Sequence, residues 1–371
     1  MDAETPKIAT LAFQRAINFG AVLQTYALQQ AIKAFGTDVE VLDYRCESEE
    51  KRYYRIPRNP KTLVGRIIKW PVRHKKMERF AQFRDEYLVM SDPVDKKTVA
   101  DYCKRYSKII AGSDQVWNLK LTEDTAYFLD FIDDPARKAS YAASLGTAEW
   151  DADEEALARN LLSDYSFISV RERTSGEYLT KLLDREVHTV CDPVLLLTPE
   201  QWRPLAVKPD VSRPYLLIYT LGPIANDFMQ WARTMADKKG LDLIALHGNK
   251  VAYPNITNIR DAGPREFLGY LANADYVITN SFHGTCFSII FNKQFSWFQS
   301  NIEDQRARAR SIRIADVLGE LGLEERHATG TSAIPEDIDY DAVNTRLKAF
   351  RQPSLMQLEK IVRSAEPETD R

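Results

Sequence analysis

The 371-residue chain carries 50 basic and 53 acidic side chains, a net charge of −3, with 44% apolar and 28% charged residues. That balance excludes a polyelectrolyte nucleic-acid binder and a disordered chain, and the length suits two domains of roughly 150 residues each. No run approaches the roughly 20 apolar residues that span a bilayer, and Met1-Asp2-Ala3-Glu4 does not open a secretory signal, so a soluble or peripheral protein facing the cytoplasm is expected.

Residues 8–13 form a short apolar run that reads as a buried strand. Asn18-Phe19-Gly20 makes a loop, and residues 21–35 repeat apolar positions at helical spacing through Val22, Leu23, Tyr26, Ala27, Ala31 and Ile32. Gly36 ends that helix and 39–42 is the next strand, a unit that builds parallel sheets. Cys46 is the first of four cysteines. Cys103, Cys191 and Cys286 lie far from it and from one another, which fits reduced thiols better than a zinc site or a disulfide framework.

Residues 51–80 break the pattern, with eleven Lys or Arg against one acid, Glu78, and with Tyr53, Tyr54, Ile67, Ile68 and Trp70 interleaved. Such a segment reads as a solvated basic insertion or as a dock for an anionic membrane surface, ahead of a site for a polyanionic substrate or nucleic acid. Strands resume at 108–111, closed by Gly112-Ser113-Asp114, and at 138–142, closed by Ser144-Leu145-Gly146. Residues 167–170 lead into Arg171-Glu172 and a helix to Leu183, and 188–191 lead into Asp192-Pro193.

Pro193, Pro199, Pro204 and Pro209 mark 194–213 as a linker. A second alternating half follows: strand 215–220, helix 227–239 ended by Gly240, strand 243–246, helix 264–272, strand 276–279 and helix 281–291. Another helix is expected at 314–321 and a last one at 344–364. The prediction is therefore α/β, with Rossmann-like domains at 1–198, carrying the basic insertion, and at 199–335. Residues 336–371 form a C-terminal helix and tail that return to the first domain. In such sheets ligands bind outside the carboxyl ends of the strands, so the two sets of loops are expected to face each other across one cleft.

The strongest local site is Asn280-Ser281-Phe282-His283-Gly284-Thr285, between a strand and a helix. A helix N-terminus offers unpaired N–H groups and partial positive charge to a phosphate or carboxylate. Gly284 lets a ligand approach the backbone, Ser281 and Thr285 add hydroxyls, and His283 is placed for proton transfer. Arg171 either grips an anion with two parallel bonds or pairs with Glu172 or Asp192. Arg306, Arg308, Arg310 and Arg313 form a basic cluster. Arg310 and Arg313, nearest the following helix start, are the anion-binding candidates.

Asp114 and Gln115, with Trp117 close by, suit recognition of sugar hydroxyls, although an Asx turn would explain Asp114 equally well. Ser144 on the next strand-end loop is counted with the ligand residues, as are Asn18 and Gln24 around the first strand-to-helix turn. That turn lacks the three glycines of a dinucleotide site, and no Walker phosphate loop is present.

Taken in order, these segments resemble the polysaccharide pyruvyltransferase family over residues 8 to about 325. The segments are Asn18-Phe19-Gly20-Ala21, Leu23-Gln24-Thr25-Tyr26-Ala27-Leu28, Gly112-Ser113-Asp114-Gln115-Val116-Trp117-Asn118, Ser140-Tyr141-Ala142-Ala143-Ser144-Leu145-Gly146, Ser169-Val170-Arg171-Glu172, Asp192-Pro193-Val194-Leu195-Leu196, Asn280-Ser281-Phe282-His283-Gly284-Thr285 and Arg310-Ser311-Ile312-Arg313-Ile314. The resemblance implies a fold like the GT-B glycosyltransferases and transfer of the enolpyruvyl group of phosphoenolpyruvate, as a ketal, onto two hydroxyls of a hexose in a surface-polysaccharide precursor. No metal cluster is visible in the sequence, and this chemistry is expected to need neither a metal nor a cofactor besides the donor substrate. Family members often carry Arg-Leu before the His-Gly, where this chain has Ser281-Phe282, so Arg171, Arg310 and Arg313 become the candidates for the donor's charges. His283 and Asp114 are the catalytic candidates. The competing readings are a nucleotide-sugar glycosyltransferase on the same scaffold and a sugar-binding protein without catalysis. The basic 51–80 segment suits an acceptor on a lipid diphosphate at the inner face of a membrane.

Overall fold

The computed structural model describes residues 7–54, 70–147, 149–222, 224–247, 253–299 and 305–365. The path begins β1 (Lys7–Leu11), α1 (Phe19–Lys33), β2 (Asp38–Tyr44) and α2 (Glu47–Tyr53), followed by α3 (Trp70–Tyr87). It continues through β3 (Met90–Val94), β4 (Lys108–Ala111), β5 (Lys138–Ser140), α4 (Ala152–Leu162), β6 (Ser169–Val170), α5 (Arg173–Leu183) and β7 (His188–Thr189). The second half holds β8 (Tyr215–Thr220), α6 (Asn226–Lys239), β9 (Asp242–His247), β10 (Thr257–Ile259), α7 (Pro264–Asn273), β11 (Tyr276–Thr279), α8 (Phe282–Ile290), β12 (Gln294–Trp297) and α9 (Gln305–Leu321), and α10 (Tyr340–Arg363) closes it.

The chain divides into two compact units. The first takes in the described residues up to 54, those of 84–196, and 350–365; the second takes 70–83 and those of 197–349. Each unit holds a five-stranded sheet, ordered β3-β2-β1-β4-β5 in the first and β10-β9-β8-β11-β12 in the second. Every pairing is parallel. This is the Rossmann-like arrangement the alternation predicts. The central strands KIIA, YLLIYT and YVIT are buried along their whole length, because helices cover both faces of a parallel sheet. The strand order reverses between β1 and β4 in one unit and between β8 and β11 in the other, the positions where such sheets open a crevice.

Several elements differ from the sequence reading. The edge strands β3, β10 and β12 and the helices α2, α3 and α4 are additional to the elements that the sequence predicts, and Asp151 and Glu154 form a capping box at the start of α4. Helix α9 begins at Gln305, so Arg310 and Arg313 lie within it rather than ahead of it. The proposed linker contains short helical turns at Pro193–Leu196, Pro199–Trp202 and Arg203–Leu205, and Trp202 is buried edge-on against Phe287 in the second unit. The described part of the basic segment divides: Lys51–Tyr54 belongs with the first unit, and Trp70–Phe83 packs with the second. There Arg79 meets Asp261 and Glu266, and Lys75 meets Asp261. Residues 55–69 lie outside the described residues.

The end of α10 belongs to the first unit, where Ser354 Oγ accepts a hydrogen bond from the Cys191 N–H at 2.9 Å. All four cysteines are unbridged and buried. Among the described residues, no helix is long and apolar enough to cross a membrane.

Candidate active site

In the second unit the reversal point lies between β8 and β11, whose register pairs Tyr219 with Thr279. Asn280 follows and ties the two strand ends together: its Oδ1 accepts from the Leu221 N–H at 2.7 Å, and its Nδ2 donates to the Leu221 carbonyl at 3.4 Å. Ser281 then takes the extended N-cap conformation, and its Oγ accepts from the Gly284 N–H at 3.3 Å. The Ser281 N–H donates to Thr279 Oγ1 at 3.0 Å, and Thr285 Oγ1 donates to the Ser281 carbonyl at 3.1 Å. Side chains and backbone thus hold the mouth of α8 at the carboxyl end of the sheet. His283 occupies its first turn and keeps 8% of its surface exposed.

Gly284 has a different purpose from the one its position suggests. A Cβ there would stand 2.4 Å from Thr279 Oγ1 and 2.9 Å from Tyr219 Cδ1. The close approach it permits is between α8 and the sheet, inside the protein, and it seats the helix mouth low on β8 and β11. Thr285 is likewise sealed in the interior, where its hydroxyl serves the helix cap.

Arg310 and Arg313 stand three apart on α9 and therefore share a helix face. Arg313 is buried and Arg310 partly so. The Arg310 charge reaches Tyr219, whose buried hydroxyl also hydrogen-bonds with Ser281. Burial pushes the Tyr219 phenol up to about 12, against the lowering effects of Ser281 and Arg310. Tyr219 escaped the sequence reading. Its only signal is its place, one residue before the end of the strand beside the reversal point.

In the first unit the equivalent position is held by Asp114, after β4. Its φ of 69° is left-handed, a conformation that Asp adopts more readily than most residues. Its carbonyl accepts from Val116 N–H at 2.8 Å and from Ser144 N–H at 3.0 Å, so a turn and a tie to the next strand-end loop are both present. Gln115 Oε1 accepts from Asn118 Nδ2 at 3.0 Å, and the pair presses on Gly146, where a Cβ would lie 2.4 Å from Gln115 Oε1. The two loop motifs are therefore mutually fitted.

Arg171 is the centre of a buried ionic network. Its Nη1 donates to Asp192 Oδ2 at 2.6 Å, its Nε to Glu172 Oε1 at 3.1 Å, and its Nη2 lies 3.8 Å from Asp114 Oδ1. Ser113 Oγ donates to Asp192 Oδ2 at 3.1 Å, and Ser144 Oγ donates to Glu172 Oε1 at 2.8 Å. Burial opposes the guanidinium charge, but Glu172, Asp192 and Asp114 outweigh it and hold the group charged. Of the two readings of Arg171, the ion pair is the one the geometry displays. Asp192 and Glu172 enter as its orienting partners.

Asn18 is the N-cap of α1, its Oδ1 accepting from Gly20 N–H at 3.0 Å and Ala21 N–H at 3.4 Å. Gln24 is fully buried, and its Nε2 donates to the Ala21 carbonyl at 2.9 Å and to Thr25 Oγ1 at 3.0 Å. Both hold the first turn of α1.

Glu49, in the polar stretch of α2, carries no signal in the sequence. It is buried, and Tyr127 donates a hydrogen bond to its Oε2 at 3.2 Å. Burial pushes its carboxyl from 4.5 up to about 7, against Tyr127, Arg52 and Arg15. Below about 4.5 the group is protonated in both folded and unfolded chains. Between 4.5 and 7 the unfolded chain ionises first, so stability falls as pH rises. Glu49→Gln should remove that decline, gaining on the native protein by on the order of 3 kcal/mol between pH 5 and 8. Denaturant titrations at the two pH values read this directly, and parallel behaviour of both proteins would contradict it.

The chain is therefore an α/β protein with two Rossmann-like units, each gathering polar residues on the strand-end loops at its reversal point. The chain matches the polysaccharide pyruvyl transferase family over residues 18–301 and belongs to that family. No curated protein matches it. Solved structures similar to it include the UDP-GlcNAc 2-epimerase of Methanocaldococcus jannaschii, 11% identical, with 93% of each chain covered and a TM-score of 0.47. Another is the UDP-GlcNAc 2-epimerase of Neisseria meningitidis bound to UDP-GlcNAc, 11% identical over 92% of this chain and 98% of that one, with a TM-score of 0.46. Likeness at that level says nothing about activity.

Proposed function

We propose that the protein moves the enolpyruvyl group of phosphoenolpyruvate onto two hydroxyls of a hexose in a surface-polysaccharide precursor, releasing phosphate. Family membership supports pyruvyl transfer to a polysaccharide. The observation that carries the finer reading is the mouth of α8, where a histidine stands on a capped helix N-terminus in the unit that also holds Arg310 and Arg313. Those groups suit the carboxylate and phosphate of the donor. Arg171, engaged by three carboxyl groups of its own unit, is assigned to orienting Asp114 rather than to the donor.

In this reading a sugar hydroxyl oxygen bonds to C2 of phosphoenolpyruvate while a proton is added to C3, which becomes the methyl group. His283 handles one proton, and Asp114 accepts the proton of the hydroxyl. The second hydroxyl then attacks C2, the bond from C2 to the phosphate oxygen breaks, and phosphate leaves with its electron pair. The second hydroxyl proton is lost and the cyclic ketal closes. Ser281 assists the donor as a hydroxyl at the helix mouth, while Gly284 and Thr285 shape that mouth. Gln115 and Ser144 shape the loops that present Asp114.

The test is phosphate release from phosphoenolpyruvate with a panel of lipid-linked hexoses, together with thermal stabilisation by phosphoenolpyruvate against nucleoside diphosphates. Stabilisation by the nucleotides alone would replace this reading with a nucleotide-sugar transferase.

A lipid-diphosphate acceptor places the work at a membrane surface. The start of α3 supports such contact, with Trp70 half exposed and Val72 nearby beside Arg73, His74 and Lys75. Sedimentation with anionic vesicles tests it, and identical partition by a Trp70→Ala, Lys75→Ala variant would remove it.

A further inference from the structure

We propose that Ala142 is a positioning residue for the sugar acceptor: its left-handed backbone makes a one-residue bulge that ties Ser144 to both Asp114 and Glu172 and so sets the Asp114 carboxylate. The proposal rests on the role given to Asp114 above and concerns how the first unit holds that residue.

The pairing on either side of β5 measures the distortion. From Ala139 to Ala143 the chain advances four residues, while the segment alongside it advances three, from Phe167 to Val170. One residue is therefore extra. The backbone turns at Ala142, with a φ of 54°. Residues other than glycine seldom adopt that conformation, and here the alanine is held in it fully buried. Bulges are rare in parallel pairs, and they re-aim the side chains that follow them. Toward β4 both chains advance three residues, from the Ala111–Ser140 pair to the Asp114–Ala143 pair. The bend is carried across to Asp114, which shares the left-handed conformation.

The hydrogen bonds show what the extra residue holds. Before it, the Tyr141 N–H donates to the Ala111 carbonyl at 2.9 Å. At the bulge, the Ala142 N–H donates to a side chain instead, Ser169 Oγ at 3.3 Å. Backbone pairing then resumes: the Ala143 N–H donates to the Ser169 carbonyl at 3.2 Å, and the Ala143 carbonyl accepts from the Arg171 N–H at 3.1 Å. The Ser144 N–H holds the Asp114 carbonyl at 3.0 Å. Its hydroxyl meets Glu172 Oε1 at 2.8 Å, the oxygen that also takes Arg171 Nε at 3.1 Å. Side chains alternate along a strand, so without the extra residue Ser144 would turn to the other face and leave Glu172. Every group the bulge orders belongs to the first unit, whereas the groups assigned to the donor, on α8 and α9, belong to the second. A change at Ala142 therefore reaches the acceptor and spares the donor.

Ala142→Gly keeps the left-handed backbone without a Cβ, and Ala142→Val opposes it, because a β-branched residue is an outlier at positive φ. For the hexose acceptor that the native protein pyruvylates, Ala142→Val should lower kcat/KM by about tenfold to a hundredfold, the larger figure being the cost of misplacing a reacting group by about 1 Å. The Michaelis constant for phosphoenolpyruvate should stay within about twofold, and Ala142→Gly should remain within about threefold of the native protein on both substrates. Hydrogen exchange reads the bulge without turnover: the Ser144 and Arg171 amides should lose about tenfold in protection in Ala142→Val and keep it in Ala142→Gly. An equal loss in Ala142→Gly would make the buried methyl group the cause and overturn the assignment. So would a rise in both Michaelis constants, or unchanged acceptor kinetics in Ala142→Val. If Ala142→Val does not fold, Ser144→Ala takes its place by removing the hydroxyl that the bulge aims. It should cost about threefold to tenfold in kcat/KM for the acceptor with the donor constant held, and no effect on the acceptor would reject the role. If the native protein pyruvylates no hexose, the reaction is rejected and exchange decides the rest. Protection lost in Ala142→Val alone keeps the bulge as the device that holds Asp114, and unchanged protection rejects it.

Discussion

His283→Ala should lower phosphate release from phosphoenolpyruvate by about 10²- to 10⁴-fold, the range expected when a general acid or base is removed. Thermal stabilisation by the donor should survive, because the groups assigned to its charges, the helix mouth and the arginines of α9, remain. The separation of the two effects is the point of the experiment. His283 sits in the first turn of α8, but the turn itself is held by Ser281, Thr279, Thr285 and Asn280, and by the fit of Gly284 against β8 and β11. Removing the imidazole leaves that scaffold in place. The alternative role for His283, a residue that merely completes the helix end, gives the opposite outcome: a lower unfolding temperature with turnover largely kept. His283→Gln adds a control, since an amide can still hydrogen-bond a ligand but cannot exchange a proton near neutral pH. If His283→Gln turned over like the native protein, the proton-transfer role would be lost whatever the alanine variant did.

How far the sequence reveals this site depends on which interactions are local. The central strands β1, β4, β8 and β11 were legible because a strand buried on both faces reads as an unbroken apolar run between turn residues. The edge strands β3, β10 and β12 were not. Met90–Val94 contains Pro93, Thr257–Ile259 has three residues, and Gln294–Trp297 is short and begins with a polar residue. The histidine at the helix mouth was legible too, since strand, turn, cap and helix follow one another in the chain.

Its supports were not legible, because they come from elsewhere in the sequence. Tyr219 reaches Ser281 from sixty-odd residues upstream through sheet pairing, and Arg171 finds Asp192 through the parallel β6–β7 pair that brings their two segments together. The charge of Arg310 and Arg313 is plain in the sequence, but the spacing there predicts a helix only from Ile314, whereas the helix starts at Gln305. The run Gln305–Leu321 is rich in arginine and alanine, and both are good helix formers. Glu49 shows the converse difficulty. Its neighbours Glu47, Glu50, Lys51 and Arg52 make the stretch look solvated, yet tertiary packing buries that one carboxyl beside Tyr127.

Arg171→Met should be the most destabilising single change in the first unit among those considered, with a loss of about 3–5 kcal/mol, as expected when one partner of a buried ion pair is removed. The substitution fills comparable volume but leaves Asp192 and Glu172 buried without their cation, and Asp114 without its nearby charge. Asp192 keeps hydrogen bonds from Ser113 Oγ and the Val194 N–H, and Glu172 keeps one from Ser144 Oγ, so the network is weakened rather than abolished. Arg171→Lys should recover only part of the loss. An ammonium is a single point of charge and cannot donate to Asp192 and Glu172 from a fixed planar fork. Scanning calorimetry must resolve the transition of the first unit, because a chain of two units need not unfold as one. The same variants distinguish the two readings of Arg171. If it gripped the donor, Arg171→Lys would raise the Michaelis constant for phosphoenolpyruvate while the unfolding temperature stayed constant. If it orients Asp114 from within a structural network, the unfolding temperature falls, and the kinetic cost appears when the sugar acceptor is varied rather than the donor.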